Sequence, residues 1–136
     1  MDAELDKALT FFRFEDLRIY NKSLDYIEWV TRQVQLFPDH SAAGIASRFQ
    51  LSAQAIALNI SEGSARNKSQ FIYYLKMAKS AVRECVVYTS LAQKLDYMKP
   101  SDVDESRGQL MEMTKMIGAL IGSLQRAGDI NSEDPD

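Results

Sequence analysis

The sequence predicts an all-α protein, an antiparallel up-down-up-down four-helix bundle. Three observations carry this. Apolar residues recur at spacings of three and four through four long segments. The connections between them are short, which makes consecutive helices antiparallel neighbours. No stretch alternates apolar and polar residues for a useful strand length. With 136 residues, 46% of them hydrophobic and 26% charged, the chain fits one soluble domain. A domain of this size buries roughly two-thirds of its unfolded surface, enough for one core without cross-links.

Residues 1–15 read as an N-terminal arm, with only the weak helical spacing of Leu5, Leu9 and Phe12. The bundle is expected over residues 16–128. In its first helix Leu17, Tyr20, Leu24, Ile27, Thr31 and Val34 share one face, and Asp16 is a candidate N-cap or first-turn acid. Glu28 and Arg32 form an outward i,i+4 pair. A second stripe, Ile19, Tyr26, Val30 and Phe37, lies beside the first and belongs either to a wide core face or to a subunit interface. Pro38 stops the helix.

The second helix is expected over about 42–62, with Ile45, Phe49, Ser52, Ile56 and Asn59 or Ile60 on one face. Its many small residues allow close approach of a neighbour. Gly63 would end it in a left-handed conformation that glycine adopts without steric cost. The third helix, about 68–97, opens on Asn67 with Gln70 as a capping-box pair. Phe71, Leu75, Ala78, Val82, Cys85, Thr89 and Ala92 form its core stripe. Tyr74, Met77, Ala81, Tyr88, Leu91 and Leu95 form a second. Pro100 closes this region, and Ser101 with Asp104 would cap the fourth helix, which runs to a stop at Gly128. Val103, Ser106, Leu110, Met113, Ile117, Leu120 and Leu124 give that helix its face. Residues 129–136 read as a disordered acidic tail.

The net charge of −3 conceals a division. Residues 1–15 carry −2 and residues 129–136 carry −4, which leaves the body at +3. Residues 41–95 hold seven bases against Glu62 and Glu84, a net +5. No apolar run is long enough to cross a bilayer, and the acidic N-terminus lacks the order of a signal peptide. The single cysteine, Cys85, has no internal partner, so a reducing cytoplasm is the expected location.

Catalytic chemistry finds little footing. The one histidine, His40, sits in a linker, and no Cys/His grouping has metal-ligand spacing. Cys85 falls on a core stripe, far from any histidine that would activate it. No catalytic residues, metal or cofactor are expected, and the protein reads as non-enzymatic. A basic stripe is the more promising feature. Lys76, Lys79 and Arg83 share a face of the third helix, with Arg66 and Lys68 at its start. Such a stripe can track a phosphate backbone, with Tyr73 and Tyr74 placed to stack on bases. The plain alternative is a solvated face. A protein-interaction scaffold, with the second stripe of the first helix forming a ring, is the alternative to direct RNA or DNA binding.

The stretch Asn59-Ile60-Ser61-Glu62-Gly63 has two polar residues at awkward places. Asn59 lies on or beside the buried face, and Glu62 lies in a last helical turn, where the dipole disfavours an acid. Arg66 and the free N–H groups of the next helix would compensate, making Glu62 a tie across the turn. This stretch, with Phe71 to Ser80 (Phe-Ile-Tyr-Tyr-Leu-Lys-Met-Ala-Lys-Ser) and Glu84, resembles the four-helix-bundle family of the 23S ribosomal RNA intervening-sequence protein. Phe14-Glu15-Asp16-Leu17 and Phe37-Pro38 resemble that family's start and first helix end, and the resemblance spans about 14–125. It implies a bacterial protein that forms a ring-like homopentamer. A similar protein, the accessory variability determinant of diversity-generating retroelements, is a basic pentamer that binds nucleic acid and partners a reverse transcriptase. Carried onto this chain, Asn59, Glu62, Gly63, Ser80 and Glu84 match motif positions with structural roles. Arg66, Lys68, Lys76, Lys79 and Arg83 are the candidate nucleic-acid residues. The chain departs from the retroelement protein in its acidic total.

Overall fold

The computed structural model describes residues 12–130, with side chains to residue 127; most of the arm and residues 131–136 lie outside the described residues. A one-turn 3-10 helix, Arg13–Asp16, precedes four α-helices: α1 (Arg18–Val34), α2 (Ile45–Ser64), α3 (Lys68–Lys94) and α4 (Pro100–Ile130). Each helix packs on its neighbours in a closed cycle, α1 on α2, α2 on α3, α3 on α4 and α4 on α1. Side-chain contacts show the antiparallel sense. Ser52 meets Glu84 and Phe49 meets Tyr88 across α2 and α3, while Lys22 meets Glu112 and Tyr26 meets Ser106 across α1 and α4. The fold is the four-helix bundle that the spacing predicts.

The core is one continuous cluster. Tyr26, Val30 and Phe37 enter from α1 and its end, Phe49, Ile56 and Ile60 from α2, Leu75, Val82 and Cys85 from α3, and Leu110, Met113 and Ile117 from α4. Each large side chain buried this way stabilises the fold by about 1.5–3 kcal/mol. The second stripe of α1 is therefore core. Ile19, Tyr26, Val30 and Phe37 are all buried, so of the two readings open to this stripe, core face or subunit interface, the core face holds. The first stripe, Leu17, Tyr20, Ile27 and Thr31, is half-buried beside it, and Leu24 faces solvent.

Polar groups inside the bundle form a directed chain. Thr89 Oγ1 donates to the Cys85 carbonyl one turn back (2.8 Å), which uses its only proton. Ser106 must then donate to Thr89 (2.8 Å), and Tyr26 to Ser106 (2.9 Å). Three helices are thereby tied at one level. Among the described residues no buried side-chain polar atom lacks a partner.

Several boundaries differ from expectation, each for a local reason. Asp16 lies in the 3-10 turn, so Leu17 holds the N-cap of α1 and makes no side-chain cap bond. The chain from Ser41 to Gly44 makes a turn closed by Gly44 N–H on the Ser41 carbonyl (2.9 Å), which delays α2 to Ile45. α2 passes through Gly63 in helical conformation, and no described glycine has positive φ. The left-handed residue is Asp96 instead, at φ 59°. It ends α3 at Lys94 in a Schellman motif, with Tyr97 N–H on the Ala92 carbonyl (2.8 Å) and Asp96 N–H on Gln93 (3.0 Å). Pro100 opens α4 rather than closing α3, the position where a missing N–H costs nothing. α4 continues past Gly128 to Ile130.

Candidate nucleic-acid interface

The joint between α2 and α3 rests on Gly63. It is buried, and a Cβ built there would stand 2.6 Å from Tyr74 Cβ and 3.0 Å from Phe71 Cδ1. The absence of a side chain lets the first turns of α3 close on the end of α2. Beside it Glu62 accepts from Arg66 Nη2 (2.6 Å), and the same guanidinium lies 5.5 Å from the centre of the Tyr74 ring. The hydrogen bond to Glu62, followed by the charge of Tyr74, holds the Arg66 pKa above its ordinary value. Asn67 Oδ1 caps α3 by accepting from Gln70 N–H (2.9 Å).

The other motif residues lie apart from this joint. Asn59 is half-buried and donates to the Ala55 carbonyl of its own helix (2.8 Å). Glu84 accepts from Ser52 Oγ (2.9 Å), a link from α3 to α2 that spacing alone does not reveal. Ser80 is exposed on α3 between them.

The five candidate bases divide. Arg66 is committed to Glu62 and Tyr74, and Lys68 sits half-buried in the first turn of α3. Lys76 and Arg83 are exposed and seven residues apart, so they share one outward face, with the half-buried Lys79 beside them. None of these last three forms an ion pair with the described residues, whose pairs are Lys22–Glu112, Glu28–Arg32 and Glu62–Arg66. Lys94, exposed and eleven residues beyond Arg83, extends the same face.

Next to the basic face runs an apolar one. Met77 and Leu91 of α3 and Leu95 at its end are all more than two-fifths exposed, Val87 stands exposed among the bases, and Leu51 and Leu58 of α2 are 63% and 66% exposed. Leu51 and Leu58 are seven apart and share the outer face of α2. α2 and α3 thus each carry exposed apolar side chains, those of α3 close to its lysines and arginine.

Two hollows adjoin these features. The larger, about 630 Å³, lies where the 3-10 turn meets the α2–α3 joint, walled by Phe12, Phe14 and Phe71. Its serines are engaged, Ser61 Oγ donating to the Leu58 carbonyl and Ser64 Oγ to Ser61. The second, about 410 Å³, is a cleft formed by Ser69, Ile72, Tyr73 and Lys76 of α3 with Gln125 of α4. Gln125 is invisible to a reading of α3 alone, because it comes from the far end of another helix.

Nothing comparable supports catalysis. Cys85 is fully buried, and burial, with the Glu84 carboxylate adding to it, pushes its thiol up to about 12, so the nucleophilic thiolate is suppressed. His40 is exposed in the α1–α2 connection. Among the described residues no cluster of His, Cys, Asp or Glu could hold a metal ion, and no helix is long and apolar enough to cross a membrane.

Comparison with known proteins agrees with this architecture. A crystal structure of a protein of unknown function from the S23 ribosomal protein family of Bacteroides thetaiotaomicron superposes with a TM-score of 0.70. The match covers 76% of this chain and 95% of that one at 17% identity, a likeness of fold. No curated protein matches the sequence. The family model described as 23S rRNA-intervening sequence protein matches residues 15–119, from the 3-10 turn to the last third of α4. The chain belongs to the family of 23S rRNA-intervening sequence proteins.

Proposed function

We propose that the chain is a non-enzymatic, self-associating helical module that binds RNA or DNA through the basic face of α3. One observation supports this above the others: Lys76, Lys79 and Arg83 stand along one helix with no carboxylate of the described residues paired to them, close to exposed apolar side chains. Unpaired cations at helical spacing suit a line of phosphates, and release of condensed counterions supplies the affinity. Packing of copies through the apolar surface, as in a ring of five, would multiply a modest stripe into a strong field. The family description concerns intervening sequences of 23S rRNA, so structured RNA is the first ligand to test.

The test is binding of a labelled structured RNA as salt is varied. The parent should bind with an affinity that falls steeply with salt, and Lys76→Glu with Lys79→Glu should abolish binding at about 0.15 M salt. A double variant that binds as well as the parent overturns the reading. In that case a scaffold that contacts other proteins through Leu51, Leu58, Val87 and Leu91 becomes the better account, since these side chains are exposed at a cost in solvation.

A further inference from the structure

We infer that the cleft at the start of α3 is a seat for one unpaired nucleobase, so that the module takes single-stranded nucleic acid in preference to duplex. This rests on the basic face of α3 being a phosphate track. The cleft lies at the end of that track, and Lys76 belongs to both.

The walls suit a base. Tyr73 is 58% exposed, yet its ring is propped edge-on against Tyr74 at 5.2 Å between centres and 84° between planes. Tyr74 is itself held between Arg66 and Gly63. The exposed ring is therefore braced from behind, which lowers the entropy lost when a base stacks on it. Ile72, half-buried beside it, adds apolar surface. The rim is polar in a permissive way. Gln125 is exposed and its amide offers both donors and an acceptor. The Ser69 hydroxyl is held only by a long contact of 3.4 Å to Asn67 Oδ1, whose main donor is the Gln70 N–H. Such a rim meets any base edge without selecting one.

The consequence concerns strand state. A duplex keeps its bases stacked inside and offers the cleft nothing, whereas a single strand seats a base and lays the adjoining phosphates along Lys76, Lys79 and Arg83. Two cations of this line, Lys76 and Arg83, are two helical turns apart, roughly 10 Å, so the strand runs along α3 rather than across it.

The experiment uses fluorescently labelled oligo(dT) and oligo(rU) of one length, and a duplex of the same length, each titrated with the full chain and read by anisotropy. Single strands should bind about tenfold more tightly than duplex. Tyr73→Ala should lose about tenfold on single strands and little on duplex, while Tyr73→Phe, which keeps the ring, stays near the parent. Urea midpoints of the variants check that the fold is intact. Equal binding of strand and duplex with an unaffected Tyr73→Ala overturns the seat, and leaves the phosphate track standing if Lys76→Glu with Lys79→Glu still abolishes binding. Failure of the parent to bind either form overturns the seat and the track together.

Discussion

A methyl group added at Gly63 would stand 2.6 Å from Tyr74 Cβ, well inside any tolerable carbon contact. Alanine gains up to about 1 kcal/mol over glycine in an unhindered helix. Here the clash should reverse the sign, because the obstructing atom is a Cβ fixed to the α3 backbone. Gly63→Ala is expected to destabilise by about 1–3 kcal/mol, read as a lower urea midpoint. Asp96 presents the opposite case. Its left-handed φ of 59° costs an L-residue about 1–2 kcal/mol, partly offset because glycine loses more entropy on folding. Asp96→Gly should raise stability by about 0.5–1 kcal/mol in the same assay. The sequence points to a glycine with a special role at the end of α2, but the role is contact rather than conformation. That distinction depends on Phe71 and Tyr74, which lie across the joint. The left-handed position falls on an aspartate that no local pattern singles out.

Between helices, the Tyr26–Ser106–Thr89 chain makes α1, α4 and α3 depend on one protonation state. Tyr26 is the donor at its head, and burial, then the neighbouring Cys85, raises its pKa far above the ordinary value. Cys85 is raised from 9.0 to about 12 by burial first and Glu84 second. Both are acids held neutral by the fold, so each folded pKa lies above its unfolded one. The Cys85 contribution is complete below about pH 9 and is lost as pH rises from there toward 12, and that of Tyr26 begins to fall at a higher pH. The urea midpoint should therefore fall between about pH 8 and about pH 11. Tyr26→Phe should start lower, by about 1 kcal/mol for the lost hydrogen bond, and show a shallower alkaline decline. At this scale the helices themselves are legible, since a spacing of three and four is written locally in each segment. Their ends are less so. Pro100 reads equally as the stop of one helix or the first residue of the next, and the Asp96 turn decides it.

For the molecule as a whole, the exposed apolar residues of α2 and α3 are where the proposed self-association would take place. With Ile19, Tyr26, Val30 and Phe37 consumed by the core, Leu51, Leu58, Met77, Val87 and Leu91 are among the large apolar side chains left exposed. Light scattering after gel filtration should give a mass near five times 15.4 kDa for the parent. Leu51→Glu with Leu58→Glu should give single chains with an unchanged helical spectrum, because both residues lie outside the core. A monomeric parent would remove the assembly from the proposal. The basic stripe was readable because its members share one helix. The cleft beside it was not, because Gln125 reaches it only through the return of α4 along the full length of α3. The outward leucines of α2 were hidden for a related reason: apolar residues all around a helix do not declare which side faces the core until the neighbours are placed.

The buried hydroxyl relay also sets where the chain tolerates a change of length. Ser106 stands six residues after Pro100, and one residue inserted between them would turn it through about 100° and leave Thr89 and Tyr26 facing carbon. Beyond Ile117 α4 has only half-buried and exposed side chains, up to residue 127. Leu120, Ile121 and Leu124 still pack on the core and Gln125 lines the cleft, so only insertions beyond Gln125 extend a rod and shift no packed or aligned group. Natural variation in helix length among proteins of this architecture should collect at that end of α4, with the segment from Pro100 to Ser106 held at constant length.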